Sequence, residues 1–296
     1  MLGLVKFRQP SKGGSAMAVQ RTNDDMPTIW EIPEALWVTF LDILQRTYPA
    51  KQRGRRRCCF RLVLNTILYR VRSGVQWNHL PKELGDDSTV HRWFQRWCND
   101  GVFKKIWAIL LERCQELGAV DWQWQSADAR LGKARFGGDK VGKNPTDRGK
   151  PGTKISIVTE ANGRPLGLTI AGANVHDTKL PADTLDAIVV ERPEPSSEAP
   201  QPLCLDKAYH NPTGHEATQS RNYGPHIRRI GEEKLNPNGE KTYPARRWVV
   251  ERTIAWLTKF RAILVRYDRN WENFLGCLQF VCALLWFRRL SKFCEF

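Results

Sequence analysis

Residues 153–172 read TKISIVTEANGRPLGLTIAG and predict a β-hairpin. Apolar and polar residues alternate on both sides of ANGR, as they do in strands that pack one face on a core. Asn162 and Gly163 lie between the two runs, and such a pair tolerates the positive φ angles of tight hairpin turns. The stretch therefore places two antiparallel strands near the middle of the chain.

Apolar runs on both sides of the hairpin extend this sheet. WQWQSADARL (122–131) ends in an extended run, and QPLCLDKAY (201–209) contains a short buried run. Helical spacing appears at about 183–190 and returns from 245 to the end of the chain. A hairpin followed by helix, strand and long helices predicts a mixed α/β layer domain over residues 119–296.

The residues before this domain have a helical pattern. From Trp30 to about Leu117 apolar residues recur at three-and-four spacing, most clearly over 60–71, before a Ser-Gly stop at 73 and 74. Residues 1–26 have the composition of a loose tail. We therefore expect a flexible tail at 1–26 and a helical domain over 27–118.

Within the helical domain, DDSTVHRWFQRWCNDG (86–101) is compatible with the second helix of a helix-turn-helix. Asp87 or Ser88 can cap this helix. Its outer face would offer His91, Arg92 and Arg96 to DNA. An ordinary helical bundle with a solvated basic face fits the same pattern, and the sequence favours neither.

The charge of the chain favours a polyanionic partner. Lys and Arg outnumber Asp and Glu by 46 to 31, giving a net charge of +15 and an isoelectric point near 9.7. The run KQRGRRR at 51–57 adds cations of the kind that contact phosphates without reading sequence. Nucleic acid is the partner that this balance favours most.

The cysteines and the apolar stretches indicate a cytoplasmic protein. The eight cysteines form no CxxC pair and no metal-ligand spacing, which fits free thiols in a reducing compartment. The first ten residues lack the apolar core of a signal peptide. The most hydrophobic stretch, 274–287, is shorter than the roughly 20 residues of a membrane-spanning helix, so we interpret it as a buried helix.

Three acidic residues stand inside or at the ends of apolar elements: Asp128, Asp206 and Glu251. A buried carboxylate is costly unless a cation or hydrogen bonds compensate, so such acids suggest a metal. Oxygen ligands without a His or Cys set favour Mg²⁺ or Mn²⁺, and two such ions support phosphodiester displacement. Taken singly, an Asp at the end of a strand is more often a turn or cap residue than a ligand, and Glu251 can simply pair with Arg247 at i, i+4.

The sequence resembles the IS5 group of insertion-sequence transposases, within the larger IS4-like class, over about residues 30–290. In the second part of the chain the resemblance is carried by five blocks in order: SADAR, GKNPTDRGKPGTKISIVTEANGRPL, GANVHD, LCLDKAYHN and RWVVERTIAWLTKFRAILVRYDR. Before them, LNTILYRVRSGVQWNHLPKELG and VHRWFQRW resemble the helical domain of that family. The resemblance implies an RNase H-like catalytic domain preceded by a helical DNA-binding domain. It also implies an Asp, Asp, Glu triad at Asp128, Asp206 and Glu251. The family usually has Gly and then Ser or Thr after the first Asp, where this chain has Ala129 and Arg130, so Asp121 is the alternative.

The resemblance also implies residues that contact DNA. The wider class carries a Tyr, Arg, Glu, Lys pattern on the helix of the third acid, and Arg247 lies at the matching distance. Pro244 and Thr258 occupy the positions expected for Tyr and Lys, with Tyr243 and Lys259 one residue away. A Gly-rich loop at 132–152 carries further candidates, which are Lys140, Lys143, Arg148 and Lys150. In NVHD (174–177) we expect Asp177 to cap the following helix.

Together these features predict a DDE transposase that cuts double-stranded DNA at the ends of its insertion sequence. The freed 3′-hydroxyls would then join target DNA with two Mg²⁺ or Mn²⁺ ions bound. Joining two ends would require a homodimer or higher oligomer in the bacterial cytoplasm. Two alternatives remain: a nuclease or resolvase without strand transfer, and a DNA-binding regulator or decayed transposase whose acids are structural.

Overall fold

The computed structural model describes residues 31–50, 57–227, 238 and 246–294. The tail predicted at 1–26 and most of the KQRGRRR run lie outside the described residues. Within the described residues the elements before the sheet are helices, as predicted. They are α1 (Glu34–Thr47), α2 (Phe60–Ser73), α3 (Asp87–Asn99) and α4 (Val102–Glu116).

Caps and turns define the ends of these helices. Gly74 ends α2 in the left-handed conformation, with φ of 70°, which confirms the predicted stop. The N-cap of α3 is Asp86, whose carboxylate accepts a hydrogen bond from the backbone N–H of Thr89 at 2.7 Å, so the choice of Asp87 or Ser88 was wrong. Two 3₁₀ turns occupy residues 74–86 between α2 and α3, a longer connection than the tight turn of a helix-turn-helix.

The described residues contain a seven-stranded mixed sheet. Its strands are β1 (Gln125–Ala134), β2 (Gly142–Lys143), β3 (Pro151–Glu160), β4 (Pro165–Gly172), β5 (Pro202–Leu205), β6 (Gly224–Ile227) and β7 (Val265–Arg266). The order across the centre is β4–β3–β1–β5–β6, with the first two contacts antiparallel and the last two parallel. The short strand β2 pairs with the first two residues of β3, and β7 pairs with the last two residues of β1. This is the RNase H-like arrangement that the resemblance implied.

The hairpin predicted from 153–172 is the β3–β4 pair, and Gly163 in its turn has φ of +84°. One predicted boundary was wrong, because β1 continues to Ala134 and Gly132 therefore lies in a strand. The hydrogen-bonded register with β3, from Gln125↔Glu160 to Lys133↔Gly152, keeps the backbone extended. The basic loop is thus limited to residues 135–150 and contains β2.

Five more helices of the described residues cover the sheet: α5 (Pro181–Asp186), α6 (Pro212–Gln219), α7 (Trp248–Thr258), α8 (Arg261–Leu264) and α9 (Trp271–Leu290). The apolar stretch at 274–287 is the centre of α9, and most of its side chains are buried, as expected. None of the described helices combines the length and apolar character needed to cross a membrane.

The hydrophobic core joins the N-terminal helices to the sheet. Helix α4 packs along α9, and α9 contacts β4. The indole N–H groups of Trp107 in α4 and Trp286 in α9 both donate to the backbone carbonyl of Pro165, at 3.2 and 2.6 Å. One cluster of buried residues runs from Ile32 to Leu290. A division into domains near residue 118 stays a prediction.

Candidate active site

Asp128 lies in the middle of β1, opposite Ile157 of β3. The neighbouring strands on both sides fix its backbone, and 18% of its side chain is exposed. Its Oδ1 accepts a hydrogen bond from the N–H of Ala129 at 2.8 Å. Burial raises the pKa of the Asp128 carboxyl, and the Ala129 hydrogen bond and the Arg247 guanidinium oppose that rise. A nearby cation therefore favours the charged form of this carboxylate.

Asp206 follows the last residue of β5 and stands beside Asp128. The strands β1 and β5 are parallel, with Ser126 opposite Cys204, so the same register two residues later aligns Asp128 with Asp206. Asp206 Oδ1 is buried and has no hydrogen-bond partner within the described residues. An unpaired buried carboxylate oxygen is costly, so this atom is available to a cation or a donor from a ligand.

Glu251 lies in the first turn of α7 and comes to the site from another element. Helix α7 packs against β1 and β3. The hairpin turn holds it there, because Arg252 Nη2 donates to the carbonyl of Asn162 at 2.6 Å and Thr253 Oγ1 donates to the carbonyl of Gly163. The Glu251 side chain is 53% exposed, which leaves it accessible from solvent.

Arg247 links the three acids. Its guanidinium lies 3.6 Å from Asp128 Oδ2, 3.1 Å from Asp206 Oδ2 and 2.9 Å from Glu251 Oε1. The structure therefore brings all three sequence-predicted acids around one cation. The alternative candidate, Asp121, lies before β1, where its backbone N–H bonds to Glu160 and its carboxylate accepts from Gln123 N–H.

The donor set fits a divalent metal by its chemistry. The site offers three carboxylates, one orphaned oxygen at Asp206 and open access on the Glu251 side, which suit hard cations such as Mg²⁺ or Mn²⁺. Among the described residues, however, no three His, Cys, Asp or Glu side chains are already close enough to hold a metal ion. The Arg247 guanidinium lies between the carboxylates, so an entering cation would compete with it.

Tyr209 borders the site and was missed by the sequence reasoning. It is 3% exposed, and burial raises the pKa of its hydroxyl, with the negative charges of Asp177, Asp128 and Asp206 adding to the rise. A neutral phenol in this position can donate a hydrogen bond but cannot add charge. The only signal in the sequence was its place three residues after Asp206.

The expected role of Asp177 as a helix cap was wrong. His176 is the cap of the short turn, with Nδ1 3.4 Å from the N–H of Thr178, and Asp177 is the first residue inside it. The Asp177 carboxylate instead pairs with Lys154 Nζ at 2.6 Å. Lys154 is buried on β3, and the ion pair compensates its buried charge.

Among the described residues, the other predicted DNA contacts form no ion pair with the three carboxylates. Arg92 and Arg96 are exposed on α3, while Phe94 and Trp97 of that helix are buried. Lys259 is the C-cap residue of α7, at the opposite end of the helix from Arg247. Tyr243 lies outside the described residues. The loop cations Lys140, Lys143, Arg148 and Lys150 are exposed, although Lys140 also lies 4.0 Å from the centre of the Trp271 ring.

Gly163 fixes the hairpin turn that holds α7. A Cβ at this position would meet Arg252, Thr253 and Val249 at 2.9 to 3.0 Å, and its φ of +84° is unfavourable for other residues. We expect Gly163→Ala to lower the free energy of unfolding by about 2–4 kcal/mol, combining left-handed strain with overpacking. Urea unfolding measures this loss.

The matched control is Gly118→Ala, at φ of +64° with nothing within 4 Å of the added Cβ. It carries the backbone strain alone, at about 1–2 kcal/mol. Equal losses in the two variants would show that contact between the turn and α7 adds nothing.

The sheet topology and the position of the acids define a class. An RNase H-like sheet with carboxylates on β1, after β5 and on α7 has the architecture of a DDE-type catalytic domain. The family model described as "Transposase DDE domain" matches residues 112–286, and "Putative transposase of IS4/5 family" matches residues 32–107. The chain belongs to the DDE-domain transposase family, and the resemblance to insertion-sequence transposases is confirmed.

Individual relatives agree with this assignment. The chain is 36% identical over 160 residues to "Putative transposase for insertion sequence element IS402" of Burkholderia cepacia, covering 53% of this chain and 74% of that protein. It is 27% identical over 118 residues to "Insertion element IS402 uncharacterized 16.2 kDa protein" of the same organism, covering 38% of this chain and 80% of that protein. The solved Mos1 mariner paired end complex with Mn is 11% identical, covering 92% of this chain and 90% of that chain, with a TM-score of 0.27.

Proposed function

We propose that this transposase cuts double-stranded DNA at the ends of its insertion sequence and joins the freed 3′-hydroxyls to target DNA. The observation that carries the proposal is the convergence of Asp128, Asp206 and Glu251 on Arg247. Apolar packing would hold the three elements together better than three carboxylates around one point do. Stability of the fold therefore does not explain why the acids converge.

The residues divide the chemistry between them. Divalent ions, when bound, activate the attacking oxygen and stabilise the leaving oxygen of a phosphodiester displacement. Asp128 and Asp206, on adjacent strands, would hold such ions at a fixed spacing, and Glu251 would complete the set from α7. The Arg247 guanidinium would then exchange part of its contact with the carboxylates for a phosphate of the bound DNA.

Two displacements account for cutting and joining. In the first, water attacks the phosphorus at the element end, the P–O3′ bond breaks, and the strand is left with a 3′-hydroxyl. In the second, that hydroxyl attacks a phosphorus of the target DNA, and the target's own 3′-oxygen leaves. The same carboxylates serve both steps, because attacking and leaving oxygens are aligned in the same way.

The regulator hypothesis has two observations in its favour. The ion pairs with Arg247 give the three acids a cationic partner without any metal, and Arg130 stands where the family usually has Ser or Thr. A protein of this kind would bind element ends and leave the DNA intact.

Metal dependence separates the two functions. We expect the full chain to produce cut and joined products from a labelled duplex with the sequences flanking its gene when Mg²⁺ or Mn²⁺ is supplied. Excess EDTA should remove both products without removing DNA binding, because the cations that hold the backbone are side chains. Gel analysis of both strands reports cutting and joining separately.

Three outcomes would contradict the proposal in different ways. Binding without any cut product with either metal would favour the regulator. Cutting without joining would favour a nuclease or resolvase. Products that survive EDTA would show that the carboxylates do not act through a divalent ion.

A further inference from the structure

A basic cavity of 520 Å³ lies between α2, the β3–β4 turn, α7 and the end of α9. Its polar lining consists of cations from these four places: Arg72, Arg164, Lys259, Arg288 and Lys292. Trp256, Phe260 and Leu285 supply apolar walls, and none of the described residues that line the cavity is acidic. The chain therefore brings five positive charges together at one concave surface.

This concentration of charge is unfavourable in the protein alone. Burial lowers the pKa of Arg72, and the charge of Arg288 lowers it further. Burial likewise lowers the pKa of Arg164. The Glu160 carboxylate at 3.7 Å opposes this shift, and the charge of Arg289 adds to it. An anion in the cavity would relieve the repulsion between these cations.

The cations of the cavity extend out to its rim, which favours an extended anion over a small one. Lys259, Arg288 and Lys292 are exposed at its rim. Arg288 lies in the last turn of α9, Lys292 lies two residues after the helix ends, and both line the cavity. Nearby, the Arg252 guanidinium lies over the rings of Trp248 and Trp256, at 4.7 and 4.8 Å from their centres, which adds a further cation beside the cavity.

Helix α7 connects the cavity to the carboxylates. Lys259 follows Glu251 by eight residues, which corresponds to about 12 Å along the helix and about 80° around it. The two side chains therefore lie on the same half of the helix surface. A duplex running along α7 covers this distance in about three to four base pairs, at 3.4 Å per base pair.

We propose that this cavity binds the phosphodiester backbone of the DNA duplex next to the segment held at the carboxylates. The proposal rests on the proposed function for the identity of the substrate. Because Arg72 belongs to α2, the same DNA would contact the N-terminal helices and the catalytic sheet together. The cavity would thus fix the register of the duplex relative to Asp128, Asp206 and Glu251 without reading its sequence.

The test measures DNA binding in EDTA by fluorescence anisotropy, over a range of salt concentrations. The double variant Arg288→Gln/Lys292→Gln removes two exposed rim cations. Its control, Lys82→Gln/Lys104→Gln, removes the same charge from exposed positions on the N-terminal helical part. Each protein is tested with a duplex carrying the element end and with an unrelated duplex of the same length.

We expect the rim variant to bind both duplexes more weakly than the control does. For the rim variant, the slope of the logarithm of the DNA association constant against the logarithm of the salt concentration should be smaller in magnitude by about two. Each lost phosphate contact reduces this slope by about 0.9. An affinity and a slope equal to those of the wild type would overturn the proposal. Weaker binding of the element end alone would also overturn it, because that result indicates base reading. Binding measured without metal does not depend on cleavage. If the proposed function were wrong, the wild type would give no cut or joined product in the separate cleavage experiment, whatever the binding result.

Discussion

Replacing Glu251 by Gln should abolish cutting and joining while leaving DNA binding close to that of the wild type. The amide keeps the size of the side chain but removes the charge that would complete the metal set. Loss of several kcal/mol of transition-state stabilisation corresponds to a fall of about 10³-fold in rate. Binding should persist because Arg247 keeps its contacts with Asp128 and Asp206 and the cations elsewhere are unchanged. Single-turnover cleavage and anisotropy measure the two properties separately.

A surface ion pair of the same kind provides the control. Asp42 pairs with Arg46 at 3.0 Å on α1, also at i, i+4, and its side chain is 53% exposed, the same fraction as that of Glu251. Asp42→Asn should leave cleavage unchanged and cost about 0.5 kcal/mol or less in stability. If Glu251→Gln behaved like Asp42→Asn, Glu251 would be only the partner of Arg247, and the proposed chemistry would fail.

The second large effect concerns stability. Arg70 of α2 and Asp268, just before α9, form a buried ion pair with two hydrogen bonds of 3.1 and 3.0 Å. Their side chains are 6% and 5% exposed, and the Arg70 guanidinium also stacks over the Trp77 ring at 4.7 Å. We expect Arg70→Met to lower the free energy of unfolding by about 3–5 kcal/mol, because it leaves the Asp268 charge buried without its partner. Urea unfolding followed by circular dichroism gives this value.

A double variant separates the cost of the orphaned charge from the value of the pair. Arg70→Met/Asp268→Leu removes both charges and should recover much of the loss, since apolar replacement of a buried pair is often close to neutral. Arg46→Met, in the exposed pair, should cost about 1 kcal/mol or less. A loss below about 1 kcal/mol for Arg70→Met alone would show that Asp268 finds another partner.

Local patterns in the sequence predicted the elements that depend on neighbours along the chain. The alternation around Asn162 and Gly163 predicted the β3–β4 hairpin, and the apolar run at 274–287 predicted the core of α9. Boundaries were less predictable. Asp86, Asp87 and Ser88 are all suitable caps, and only the backbone geometry of α3 selects Asp86. Gly132 resembles a loop residue until the pairing of β1 with β3 and β7 holds it extended.

The site depended on information that no local pattern contains. Apolar flanks and the family resemblance indicated Asp128, Asp206 and Glu251, but their proximity follows from the parallel register of β1 and β5, which are about 70 residues apart. The sequence also left open whether Glu251 pairs with Arg247 or joins the other acids. The structure shows Arg247 contacting all three, so the first possibility does not exclude the second. No local pattern in the sequence predicted that Tyr209 packs beside the acids.

The pairing of α4 with α9 joins two elements that are made far apart in time during synthesis of the chain. The inner face of α4 carries Phe103, Ile106, Trp107 and Leu110, and α9 covers it. On the ribosome these residues emerge long before α9, so they stay uncovered through the synthesis of the whole sheet. Contacts this distant along the chain form slowly. We therefore expect the inner face of α4 to stay accessible to chaperones and proteases until α9 docks, which requires translation up to residue 290.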